Sequence, residues 1–122
     1  MKLHASRPSG VNTISGYGEG YVLVNGERHA SSLVVLPDRI VSWAATGFDA
    51  LTAEDFVFLK ELKAEIVLLG TGSRQRFPHP RLTAALAQAG IGLEVMDVQA
   101  ACRTYNILVA EERKVAAALL FE

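Results

Sequence analysis

Gly70-Thr71-Gly72-Ser73 directly follows an apolar run, and two arginines, Arg74 and Arg76, come next. Glycines at the carboxyl end of a strand in an open α/β sheet let the backbone approach a bound group. Main-chain amides together with guanidinium groups can hold a carboxylate or a phosphate. The spacing departs from the dinucleotide fingerprint, which needs a third glycine, and from the P-loop, which needs Gly-Lys-Ser/Thr. The plainer alternative is a tight strand exit leading into a solvated basic loop. It carries more weight, because a short glycine motif without its flanking context often matches by chance. A small anion remains an alternative ligand of this loop.

Cys102-Arg103-Thr104-Tyr105-Asn106 is the second candidate. A helix beginning near residue 99 would put Cys102 in its first turn, where the macrodipole and Arg103 favour a thiolate. That would suit a small-molecule or anion-binding enzyme or sensor with Cys102 as a reactive thiol. Free cysteine is more commonly a small buried hydrophobe, and no His or Asp is adjacent in sequence to act as base. His4, His29 and His79 lack pairwise ligand spacing, so neither a metal nor a cofactor is expected. No serine lies in a Gly-x-Ser-x-Gly elbow. Trp43, Phe48, Phe56 and Phe58 suit core packing, or an exposed apolar patch through which copies of the chain could pair.

The elements that must position these residues follow from pattern. Runs at 11–14, 21–24, 32–36 and 40–43 read as strands separated by Gly16-Tyr17-Gly18-Glu19-Gly20, Asn25-Gly26 and Pro37-Asp38, which implies a β-meander. Thr52, with Asp55 three residues on, resembles a capping box, and Phe56, Leu59 and Leu62 recur at helical spacing over 53–63. Residues 65–69 form a short apolar strand. Pro80 and Gly90 bracket a helix over 80–89, and 93–96 form a second strand, so 65–97 reads as strand, helix, strand with parallel pairing. Residues 99–120 are open on propensity alone, as one long helix or as a helix followed by a strand.

The chain has 122 residues, 12 Lys+Arg against 13 Asp+Glu, and one cysteine. That size fits a single α/β domain over 1–122. The formal net charge of −1 lacks the basic signature of a nucleic-acid binder. A lone thiol excludes an internal disulfide and suits a reducing, cytoplasmic setting. No stretch approaches the ~20 apolar residues of a membrane span. The amino end, with Lys2 and Arg7, lacks the apolar run of a secretory signal and reads as a loose start into a strand. The neutral average conceals one asymmetry: residues 66–93 contain no acid but hold Arg74, Arg76, Arg81 and His79.

The blocks Ile66-Val67-Leu68-Leu69-Gly70-Thr71-Gly72, Gly92-Leu93-Glu94-Val95-Met96-Asp97, Ala100-Ala101-Cys102-Arg103-Thr104-Tyr105-Asn106-Ile107-Leu108 and Glu111-Glu112-Arg113-Lys114-Val115 occur in this order with a Pro-containing basic loop after the first. Together they resemble a small domain-of-unknown-function family. Its eukaryotic relatives include a mitochondrial assembly factor for respiratory complex I and an adipogenesis-associated protein. Val98 stands where relatives often have Thr, and Glu112 where Asn or Gly often fills a turn. The resemblance implies a three-layer α/β domain with a mixed central sheet, flanking helices and a small N-terminal antiparallel sheet. It divides the last quarter into a helix over 99–110 and a strand over 115–121. It implies no enzymatic activity, and instead an assembly or regulatory role: binding a protein partner or helping to assemble a membrane-associated complex. If both segments follow adjacent parallel strands, the recognising surface comprises Gly70, Thr71, Gly72, Ser73, Arg74 and Arg76 with Cys102, Arg103, Thr104 and Asn106.

Overall fold

The computed structural model of the chain describes residues 10–121, so most of the amino end expected as a loose start lies outside the described residues. The first three strands, β1 (Ile14–Gly18), β2 (Tyr21–Val24) and β3 (Glu27–His29), form a small antiparallel sheet. Asn25 and Gly26 take φ of 53° and 85°. Both are positive, as a type I′ turn requires, and they place Val24 opposite Glu27.

β1 occupies what reads as a turn. Gly16 and Gly18 lie within the strand because a Cβ at Gly18 would come within 2.4 Å of the Tyr21 ring and one at Gly16 within 3.2 Å of Leu23. Both glycines leave room for bulky cross-strand neighbours. The turn shrinks to Glu19-Gly20, and only Ile14 of the expected first strand pairs. Asn12 is tied down differently, its N–H donating to Pro37 O and its carbonyl accepting from Tyr105 Oη, each at 2.9 Å.

The expected four-strand meander is likewise corrected. β4 (Leu33–Leu36) and β5 (Arg39–Ser42) form a hairpin at one edge of a five-stranded sheet. All four residues of β4 are buried, so both of its faces need a covering layer, which a sheet edge on a small meander would not supply. After a 3-10 turn at Phe48–Ala50, α1 (Ala53–Glu61) starts at a complete capping box between Thr52 and Asp55. β6 (Ile66–Thr71) follows, then α2 (Ala84–Gln88), β7 (Gly92–Met96), α3 (Val98–Ala110) and β8 (Val115–Leu120). α2 begins four residues later than the pattern predicts, because Pro80 heads a turn: its carbonyl accepts from Thr83 N at 3.1 Å and Thr83 Oγ1 at 3.2 Å.

The large sheet runs β5-β4-β8-β6-β7, with β6 parallel to both β7 and β8 and β4 antiparallel to β8. Alternating side chains serve two cores. Leu68, Ala117 and Leu119 pack with Ala101, Cys102 and Tyr105 of α3 and with Ile14, Val22 and Val24 of the small sheet. Val67, Leu69, Ala116, Ala118 and Leu120 pack with Phe56, Leu59, Leu86 and Trp43 on the opposite face. The molecule is therefore a three-layer α/β arrangement with a mixed central sheet.

Candidate functional site

Each residue of the glycine motif has a structural task. Gly70 lies in β6 beneath α3, where a Cβ would meet Leu119 Cδ2 at 3.0 Å, Ala101 Cβ at 3.1 Å and Val98 Cα at 3.2 Å. The glycine permits close helix–sheet packing. Thr71, 1% exposed, organises the loop: its hydroxyl donates to Arg74 O at 2.7 Å and accepts from Arg76 N at 3.0 Å. Gly72, at φ 89°, turns the chain out of the sheet. Ser73 and Arg74 are exposed.

Arg76 is an anchor. Its guanidinium donates to Asp49 Oδ1 at 2.6 Å and lies 4.2 Å from the centroid of the Phe48 ring. Gln75 Nε2 donates to Val95 O at 2.8 Å, which fastens the same loop to edge strand β7. The basic segment is thus a loop held at three points.

The loop meets the first turn of α3. Val98 N donates to Gly72 O at 2.8 Å, and Asp97 caps the helix by accepting from Ala100 N at 2.9 Å. Asp97 supplies the cap next to Val98, which is buried against Gly70. A cleft of about 530 Å³ opens here, lined by Gly18, Glu19, Ser73, Asp97, Gln99 and Phe121 among others. Among the described residues its charged lining groups are two carboxylates, and one of them already occupies the amino end of α3. Those features disfavour an anion.

The second motif is distributed differently. α3 begins at Val98, so Cys102 falls in the second turn and is 1% exposed. Burial pushes its thiol up from an ordinary 9.0 to about 12, against the lowering influence of Arg103. That burial disfavours the thiolate that the enzyme or sensor alternative requires. Arg103 donates to Tyr17 Oη at 3.1 Å, and Thr104 is half-buried. Asn106 mimics a strand neighbour for β1: its Oδ1 accepts from Ile14 N at 2.9 Å and its Nδ2 donates to Ile14 O at 2.8 Å. The structure therefore brings the 70–76 loop to Asp97, Val98 and Gln99, while the side chains of Cys102 and Asn106 serve the core and β1.

Two features escape the sequence reading. Phe77 is 70% exposed beside Arg76. Its signal is a lone aromatic in an acid-free loop without a periodic apolar partner. A groove of about 820 Å³ also lies at the amino ends of β6 and β8, lined by Leu36, Arg39, Leu62, Lys63, Val109 and Lys114 among others. Only the tertiary arrangement assembles it. Among the described residues, no cluster of three or more His, Cys, Asp or Glu is placed to hold a metal ion. No helix among them is long and apolar enough to cross a membrane.

Residues 14–120 match the model of a family described as "Protein of unknown function (DUF498/DUF598)". NADH dehydrogenase [ubiquinone] 1 alpha subcomplex assembly factor 3 of Bos taurus is 36% identical over 109 residues, 88% of this chain and 59% of that protein. The chain thus spans about three-fifths of that relative's length. A crystal structure from Bordetella parapertussis superposes with a TM-score of 0.88 at 38% identity, covering 95% of this chain and all of that one. An NMR structure from Bordetella pertussis, termed a Mth938-like domain, superposes at 0.80 with 33% identity, covering 98% of this chain and 92% of that one.

Proposed function

The chain belongs to the DUF498/DUF598 family, and from that premise we propose that it is a non-catalytic, assembly-factor-like binding protein of the cytoplasm. Its partner is a protein component of a membrane-associated complex of the NADH dehydrogenase kind. The observation that carries this reading is the kinship with a named assembly factor across most of the chain. The recognising surface is the loop with Ser73 and Arg74 at its tip, continued by the exposed Gln99 and Arg103 of α3. Gly70, Thr71, Gly72 and Arg76 shape and hold it from below; Cys102 and Asn106 belong to the packing behind it.

The test is co-purification of the tagged full chain with detergent-solubilised membranes from its own source, with NADH dehydrogenase subunits quantified. Arg74→Glu should lower their recovery about tenfold, equivalent to about 1.4 kcal/mol of binding, and leave Tm unchanged, because Arg74 makes no ion pair among the described residues. Wild-type recovery no greater than that of an unrelated tagged protein would overturn the assignment.

A further inference from the structure

We propose that residues 73–81 form a preorganised aromatic-arginine anchor that docks an acidic protein segment, with the Phe77 ring seated in an apolar recess bordered by carboxylates. This rests on the loop being the partner surface named above. Phe77 is 70% exposed, the larger of the two strongly exposed large apolar side chains among the described residues, the other being Ile107 at 58%. In the same loop Arg74, His79 and Arg81 are exposed, and neither Arg74 nor Arg81 makes an ion pair among the described residues. Asp49 is committed to Arg76, and the carboxylates of Glu19 and Asp97 line the cleft on the Ser73 side of the loop. Two positive charges without an ion pair therefore share the loop with the exposed ring, and residues 66–93 contain no acid.

An exposed aromatic alone is ordinary. Here it stands on a loop fastened through Thr71, Gln75 and Arg76 and followed by Pro78. Little conformational freedom remains to be lost on binding, and that lowers a main cost of association. Phe and Arg are also residue types enriched in interface cores. Carboxylates on the partner would complete the charge and rim the pocket for the ring. A single-stranded nucleic acid also pairs aromatics with arginines. It needs a groove of cations tracking successive phosphates, whereas this loop has one ring and two free guanidinium groups in a chain of net charge −1.

The experiment uses the isotope-labelled full chain and three matched synthetic peptides with identical Leu and Phe positions, their charged positions filled entirely by Glu, Lys or Ser, alongside oligothymidylate. Affinity is read by fluorescence anisotropy and location by amide chemical shifts. The Glu peptide should bind tightest, shift amides of residues 73–81, and weaken as salt is raised. Phe77→Ala and Arg81→Glu should each reduce its affinity about tenfold without lowering Tm. A Lys or Ser peptide binding the same amides more tightly would leave the loop as the partner surface but overturn the acidic partner. Tighter oligothymidylate binding would overturn a protein occupant. Glu-peptide shifts confined to other residues, or no peptide binding, would overturn the anchor together with the loop as the partner surface.

Discussion

Burial decides the chemistry of Cys102. Its thiol is pushed up to about 12 because desolvation outweighs the favourable charge of Arg103. Between about 9 and about 12 the unfolded chain loses this proton and the folded chain keeps it. Stability contributed by the neutral buried thiol is therefore complete below the lower value and declines as pH rises through that window. Urea midpoints should fall in that interval in the wild type, and less steeply in Cys102→Ala. Iodoacetamide at pH 8 should alkylate the native chain roughly a hundredfold or more slowly than the denatured one, since reaction waits on opening. Equal rates would show an accessible thiol. The residue types were legible: one cysteine, arginines clustered after two glycines. Their neighbours were not. Arg76 reads as a free cation until the fold brings it to Asp49 and Phe48, 27 and 28 positions earlier in the chain.

At the level of elements, local chemistry predicted best where the signal is self-contained. The Asn25-Gly26 turn and the Thr52–Asp55 box each complete their bonds within a few residues. α3 ends in the same local manner: Arg113 N donates to Leu108 O and Glu112 N to Val109 O, each at 2.9 Å, with Glu112 at φ 63°. That is a Schellman closure with a side chain where glycine is preferred. Glu112→Gly should raise stability by about 0.5–1 kcal/mol, because the left-handed conformation is costly for L-residues, and Glu112→Val should lower it. Thermal denaturation of the two variants checks the sign; the reverse order would contradict the strain. Two elements depart from the pattern for reasons that composition does not display. β1 runs through Gly16 and Gly18 because Leu23 and Tyr21 need the space across the ladder. α2 starts late because Pro80 and Thr83 close a turn before it.

For the whole molecule, β8 is the organising strand. It lies between β4 and β6, and every one of its residues is buried. Removing residues 115–122 should abolish cooperative folding, leaving a chain with no sharp thermal transition by circular dichroism; retention of a native-like transition would show that β4 and β6 can close without it. Val-Ala-Ala-Ala-Leu-Leu is a good helix sequence by intrinsic propensity, yet it is the centre of a sheet. The small side chains suit a strand pressed by layers on both faces, and that burial outweighs propensity. The sequence by itself determined the α/β class, the parallel β6–β7 unit, the capping of α1, the Asn25-Gly26 turn and the acid-free loop, since each depends on periodicity or on bonds closed locally. The tertiary structure alone decided that β4 and β5 leave the small sheet, that Cys102 is sealed in the core, that Asn106 serves β1, and that Phe77 and Arg74 remain outside. Those outcomes depend on which surfaces meet at long range, where desolvation and packing outweigh local preference.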